Sequence, residues 1–313
     1  MGRFLHGEKV YESVLMPDPI IVPSFAKVNL GLSILGKRGD GYHLIDSIFQ
    51  TISLKDFLHF KFEGNNITVT TNSLSISDGL SNLVYRAAKL FQERTGEKLD
   101  ITIYIDKKIP VEAGLGGGSS NAGATLQTLN RLFDYPLSSG ELMEIAKDLG
   151  SDVPFFLKGG TAHVMGRGEM IEWCEDLPPL YFLLVIPPFS VSTRWAFQHW
   201  DKIGDSTLTN KGLSFILDEV KKGRKEIVGE LKNSFERVIL NEYPQIREIM
   251  AKLKRLKPIN VLLSGSGPTV FSIFGSGTYD RSRGEILEGN FTTLRCRSVS
   301  REEYCNSLKL KED

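Results

Sequence analysis

Lys107-Lys108-Ile109-Pro110-Val111-Glu112-Ala113-Gly114-Leu115-Gly116-Gly117-Gly118-Ser119-Ser120-Asn121-Ala122-Gly123-Ala124 reads as an anion-binding loop set between a strand and a helix. Before it, Leu99, Ile101, Ile103 and Ile105 alternate with Asp100, Thr102 and Tyr104, the period of a strand. After it, Ala122, Ala124, Leu126, Leu129 and Leu132 recur at helical spacing. Four glycines within five residues, Gly114 and Gly116 to Gly118, remove the Cβ atoms that would hold an anion off the backbone. Successive N–H groups and the positive end of the following helix then converge on one spot, which suits a phosphate. A plain connection needs one or two glycines, not four followed by two hydroxyls and an Asn.

The sequence narrows which phosphate loop this is. A Walker A loop ends in Gly-Lys-Ser/Thr, and Gly118 is followed by Ser119. The dinucleotide pattern G-x-G-x-x-G fails, because Ser119 stands at the third position after Gly116. Neither H-R-D nor D-F-G occurs, which excludes the protein-kinase signature set.

Upstream, Ala26, Val28, Leu30, Leu32 and Ile34 alternate with Lys27, Asn29, Gly31 and Ser33, predicting a half-buried strand with Lys27 and Asn29 on one face. On residue type alone that face is a solvated one. Gly36-Lys37-Arg38-Gly39-Asp40-Gly41 then makes a turn that delivers Tyr42-His43, an aromatic ring beside an imidazole, able to stack on a base and bond its edge. Ser81 or Asn82 caps a helix through Phe91 that stops at Gly96, and Ser138 to Glu141 has capping-box spacing. In Ser151-Asp152-Val153-Pro154-Phe155-Phe156, local grammar reads Asp152 as an N-cap on a short helix. Tyr181 to Ile186 is an apolar run fit for a buried strand, residues 211–257 are largely helical, and Phe291 to Val299 suggests a last strand.

The spelling Pro-x-x-x-Gly-Leu-Gly-Gly-Gly-Ser-Ser-Asn, from Pro110 to Asn121, resembles the second motif of the GHMP small-molecule kinases. Phe25-Ala26-Lys27-Val28-Asn29-Leu30-Gly31-Leu32 with Asp40-Gly41-Tyr42-His43 resembles the first, and Leu263-Ser264-Gly265-Ser266-Gly267-Pro268-Thr269 the third. Asp152-Val153-Pro154-Phe155-Phe156, followed by Gly159-Gly160-Thr161-Ala162 and Gly166-Arg167-Gly168-Glu169, looks familial as well. Three motifs in order carry more weight than any one of them.

Within that superfamily the wording is similar to the kinases of 4-diphosphocytidyl-2-C-methyl-D-erythritol, which act in the non-mevalonate route to isoprenoid precursors. The resemblance implies an α+β fold, a ribosomal-S5-like N-terminal domain followed by a ferredoxin-like C-terminal domain, and transfer of the γ-phosphoryl group of ATP, with Mg²⁺, to the 2-hydroxyl of that substrate. It implies Asp152 as the acceptor of the hydroxyl proton and Lys27 as the charge beside it. Asn29, Tyr42, His43, Thr193 and Phe197 are implied on the substrate, with Tyr42 and His43 on cytosine, and Trp195 as a lesser candidate for the place of Phe197. Phe197 reads equally as core packing. Pro110, Gly114, Leu115, Gly116, Gly117, Gly118, Ser119, Ser120 and Asn121 are implied around ATP, with the Ser120 hydroxyl toward the metal, and the third motif is implied to pack beside the glycine loop. The segment Asn233 to Glu236 also looks familial but shows no chemistry. Other GHMP kinases, for homoserine, mevalonate or a sugar, and a catalytically idle nucleotide sensor are the alternatives.

Thirty-eight basic and thirty-eight acidic residues cancel across 313, so no global field recruits nucleic acid or an anionic membrane. The partner expected is a small molecule carrying a cytidine diphosphate group. Cys174, Cys296 and Cys305 lack disulfide or zinc spacing, which suits a reducing cytoplasm. The organisation expected is an extension of no readable role over residues 1–20, an N-terminal domain over 21–177 and a C-terminal domain over 178–313, with the tail doubtful as part of the family core. Nothing in the sequence fixes an oligomeric state.

Overall fold

Two long strands carry the architecture. Ile20–Lys37 (β1) and His43–Lys61 (β2) form an antiparallel hairpin whose register slips between Phe25 and Lys27, between Asn29 and Gly31, and between Ile34 and Gly36. Such bulges bend a strand and re-aim its side chains. The structure, a computed structural model, describes residues 18–76, 79–203, 212–276, 279 and 289–309. Most of the expected N-terminal extension, residues 1–17, therefore lies outside the described residues.

Ile67–Thr71 (β3), Leu83–Thr95 (α1), Ile101–Asp106 (β4), Gly117–Leu132 (α2) and Ser139–Leu149 (α3) follow. Thr161–Gly166 (β5) and Met170–Trp173 (β6) complete a sheet in the order β3-β4-β2-β5-β6, with β1 on the other edge of β2. Asn82, one of the two expected caps, accepts from the Val84 amide at 2.8 Å, and Gly96 ends α1 in the left-handed region. Ser138 and Glu141 close the capping box of α3.

A second sheet has the order β10-β7-β9-β8, from Tyr181–Ile186 (β7), Asn260–Leu263 (β8), Val270–Phe274 (β9) and Thr292–Arg297 (β10). Its helices are Thr193–Ile203 (α4), Leu213–Lys221 (α5), Glu236–Glu242 (α6) and Pro244–Arg255 (α7), and Arg301–Leu308 (α8) closes the described chain. Among the described residues no helix is long and apolar enough to cross a membrane.

Between the sheets lies a shared core, with Ala26, Val28 and Leu30 of β1 packed among Phe182, Leu184 and Phe271 of the second sheet. The half-buried strand expected at β1 is thus enclosed on both faces, from Phe25 to Ile34. Alternation misled because Lys27, Asn29 and Ser33, read as a wet face, are covered.

The tail also needs correcting. Val299, Tyr304 and Leu308 enter the core formed by α1, α2 and α3, so the last helix belongs with the N-terminal half. Tyr304 has no exposed surface, its ring lies 5.6 Å from Phe25, and its hydroxyl donates to the Phe156 carbonyl at 2.5 Å. Gly159 is what makes room, since a Cβ there would sit 2.5 Å from Tyr304 Cγ. Tyr304→Ala should lower unfolding free energy by about 3–5 kcal/mol, the range for truncating a buried aromatic. A urea titration reads this, and a loss below about 1 kcal/mol would make α8 a peripheral appendage.

Candidate active site

The four glycines of the loop serve two purposes. Gly114 and Gly116 have left-handed backbones, φ 76° and 70°. A Cβ on Gly114 would lie 2.3 Å from the Ser264 carbonyl, and one on Gly116 would lie 3.0 Å from the Phe156 ring and 3.1 Å from Lys27 Cγ. Packing and backbone conformation therefore demand those two. Gly117 and Gly118 open α2, where no side chain caps the first turn, and Gly118 has only Leu83 near its missing Cβ, at 3.6 Å. Their amides are left without a side-chain cap at the start of the helix, the arrangement that suits an anion.

Ser120 corrects the sequence reading, whereas Asn121 stays on the lining of the cavity at the loop. Ser120 is fully buried, its hydroxyl donating to the Phe25 carbonyl at 2.6 Å and lying 2.7 Å from Ser24 Oγ, so it has no free face toward a metal. Asn121 is 2% exposed and donates its amide to Ser24 and to Asp56. Both side chains tie the loop down. Ser119 is the hydroxyl left at the cavity face.

Asp56, which sequence reasoning missed, organises the loop from beneath. It is fully buried and accepts from Lys107 Nζ at 2.5 Å, from the Lys108 and Ile109 amides at 2.7 Å each, and from Asn121 Nδ2 at 2.9 Å. The third motif closes the loop from the other side, with Ser264 Oγ donating to the Gly114 carbonyl at 2.8 Å. Asn233 spans that turn, its Nδ2 donating to the Leu263 and Gly265 carbonyls, which gives the Asn233 to Glu236 segment the role its sequence did not disclose.

Two cavities meet at this loop. One, of about 480 Å³, is lined by Leu83, Ile105, Lys107, Pro110 and the residues from Gly117 to Ser119. The other, of about 760 Å³, is lined by Lys27, Asn29, Tyr42, His43, Asp152 and Phe197. Gly114 and Gly116 line both.

Lys27 stands at the junction. Its backbone amide donates to the Leu115 carbonyl at 3.0 Å, and its Nζ donates to Asn29 Oδ1 at 2.7 Å and lies 3.3 Å from Asp152 Oδ2. The ammonium also sits 4.2 Å from the centroid of Phe49, over the ring face, where the quadrupole attracts a cation. Asn29 donates in turn to Ser47 Oγ, and Ser47 to the Gly31 carbonyl, so the amide is held with its oxygen toward Lys27. Lys27 is 4% exposed, whereas the Asp152 side chain is 33% exposed and open to the cavity. The N-cap reading of Asp152 fails: the cap position before Pro154–Leu157 is Val153, and no side chain caps that turn.

At the far end of the larger cavity His43 stacks on Phe197, with centroids 4.5 Å apart and planes at 17°, and meets Trp200 edge-on. Its Nε2 lies 2.5 Å from Asp201 Oδ1, and Lys37 Nζ lies 2.5 Å from Oδ2 of the same carboxylate. Burial works to raise the Asp201 pKa, but hydrogen bonds from Lys37 and His43 outweigh it and hold the carboxyl below its usual range. Tyr42 is largely exposed, with the Arg167 guanidinium 4.8 Å from its centroid. Thr193 Oγ1 lies 2.9 Å from Ser266 Oγ. Trp195 turns away from the cavity to stack on His199 at 4.0 Å. Phe197 meets both of its readings, since it lines the cavity and packs on Phe235.

Among the described residues, no group of three or more His, Cys, Asp or Glu side chains could hold a metal ion. Residues 82–160 match the GHMP kinases N terminal domain and residues 216–288 the GHMP kinases C terminal. The chain is 40% identical over 255 residues to the 4-diphosphocytidyl-2-C-methyl-D-erythritol kinase of Caldicellulosiruptor bescii, covering 81% of this chain and 88% of that one. It is 41% identical over 249 residues to the Pelotomaculum thermopropionicum enzyme of the same name, covering 79% and 86%. The crystal structure of a 4-(cytidine 5'-diphospho)-2C-methyl-D-erythritol kinase matches the fold with a TM-score of 0.76 at 30% identity, over 89% of this chain and 99% of that chain.

Proposed function

We propose a reaction from one premise: this chain belongs to the GHMP kinase family, in its 4-diphosphocytidyl-2-C-methyl-D-erythritol kinase branch. It transfers the γ-phosphoryl group of ATP to the 2-hydroxyl of 4-diphosphocytidyl-2-C-methyl-D-erythritol, a step toward isoprenoid precursors in the cytoplasm. The observation that carries the reading is the meeting of two cavities at Gly114 and Gly116, with Lys27 and Asp152 standing where they join.

ATP occupies the smaller cavity, its phosphates against the amides from Gly117 to Ser119 and the Lys107 ammonium alongside. The acceptor occupies the larger one, its cytosine at the His43, Tyr42 and Phe197 end and its hydroxyl at Asp152. Phosphoryl transfer asks the protein for alignment and charge stabilisation above all. Asp152 accepts the hydroxyl proton as the oxygen attacks. Lys27, anchored by Asn29 and the Phe49 ring, neutralises charge that grows between the two substrates.

Mg²⁺ fits this donor set as an ion carried in with the phosphates. It would take one or two protein oxygens, and the Glu112 carboxylate and Ser119 hydroxyl are loop side-chain oxygens on the lining of the smaller cavity that would hold it. When bound it would offset the charge of the phosphates.

The deciding assay incubates purified protein and Mg·ATP with the diphosphocytidyl acceptor, homoserine, mevalonate and a hexose in turn, scoring ADP. Turnover is expected with the first. Turnover with one of the others in its place would move the chain to another branch, and none with any would favour a nucleotide sensor.

A further inference from the structure

The helix α4 sets Thr193, Phe197 and Asp201 four residues apart, on one stripe facing the acceptor cavity. Across the hairpin, Lys37 and His43 are register partners at the mouth of β1 and β2. Asp201 closes a triangle between them, one carboxylate oxygen on each. An ionised carboxylate only accepts hydrogen bonds, so the proton on Nε2 belongs to the imidazole, and Lys37 supplies the charge that balances Asp201. In the neutral ring the other nitrogen, Nδ1, is then an acceptor. The ring is 8% exposed and clamped by Phe197 and Trp200; its one side-chain hydrogen bond among the described residues runs through Nε2, and the rest of it lines the cavity.

We propose that Asp201 is a positioning residue that sets base specificity: by accepting from Nε2–H it fixes His43 as an acceptor toward the 4-amino group of cytosine, and against the 4-oxo group of uracil. The inference rests on the acceptor proposed above. The two pyrimidines have nearly the same shape and stack alike, so a stacking pocket cannot separate them, whereas an acceptor facing an acceptor leaves both unpaired and costs accordingly. The position of the amino donor on cytosine and the carbonyl on uracil makes that edge the place where discrimination is available. Thr193, Phe197 and Asp201 thus give one helix face three tasks: anchoring to the third motif, stacking, and tautomer control.

The test compares kcat/KM for the cytosine substrate and for its uracil counterpart, made by deamination, in the wild type and in Asp201→Asn. The Asn amide can donate to Nε2, which moves the ring proton to Nδ1 and reverses what the ring offers the base. The cytosine-over-uracil ratio should fall by roughly tenfold or more, the size of one mismatched buried hydrogen bond, with KM for ATP unchanged. An equal loss on both substrates, with the ratio kept, overturns the assignment and leaves Asp201 a structural ion pair. A wild type that phosphorylates neither substrate removes the proposed acceptor, and this inference with it; a wild type that uses both equally overturns this inference alone. Long-range ¹⁵N–¹H spectra of ring-labelled protein, with the His43 signals assigned by their loss in His43→Gln, read the tautomer directly. A proton on Nδ1 in the wild type would refute the mechanism even if the variant misfolds.

Discussion

Asp152→Asn should lower kcat by about 10²–10⁴-fold, the usual contribution of a positioned proton acceptor, with KM for both substrates and the unfolding midpoint little changed. The substitution keeps the shape of the side chain and removes its basicity. Two carboxylates line the acceptor cavity, Asp152 and Asp201. Asp201 is held by Lys37 and His43 at the base end, so Asp152 is the one that faces Lys27 and the glycine loop. Lys27 keeps Asn29 and the Phe49 ring in the variant, and its position should survive. That separates loss of a base from loss of geometry. If kcat stays within about threefold, transfer proceeds on alignment and charge alone, and Asp152 is only a counter-ion for Lys27. Lys27→Met is the companion measurement, since it removes charge on the donor side and should depress kcat with Asp152 intact.

The glycine loop, the first strand and the capped helices were legible because each is written in local grammar: four glycines before a helical period, a two-residue alternation, an Asn or Ser at a cap. Burial of β1 was not, since its apolar face meets the second sheet, which is distant in sequence, and its polar face turns onto Phe49, Ser47 and Asp152. Ser120 was assigned to ATP and the metal from its place in the motif, yet spacing cannot tell whether a residue on the first helical turn points outward to a ligand or inward to Ser24 and Phe25. Asp201 left a signal that could have been followed, because it lies one helical turn beyond Phe197 on the same face. Asp56 left little: beside Lys55 in the strand it resembles any surface charge pair until Lys107 and Asn121 are brought to it.

Asp56→Ala should destabilise the protein by about 3–5 kcal/mol, because it strands the buried Lys107 ammonium. The Lys108 and Ile109 amides lose their acceptor at the same stroke, and Asn121 Nδ2 keeps only Ser24. Both partners of the ion pair are enclosed, with side-chain exposures of 6% for Lys107 and 0% for Asp56, so water cannot take over. Asp56 joins the strand that enters the glycine loop to the helix that leaves it, and the loss should appear in function as a raised KM for ATP before any change in KM for the acceptor. The double variant Asp56→Ala, Lys107→Met separates charge from scaffold. Removing the stranded ammonium should recover part of the stability, since an uncompensated buried charge costs more than a missing pair. The loop amides still lack their acceptor, so ATP binding should stay weak. Full recovery of ATP affinity in the double variant would show that Asp56 serves only to neutralise Lys107, and that the loop holds its shape through Ser264 and Ser120 without it.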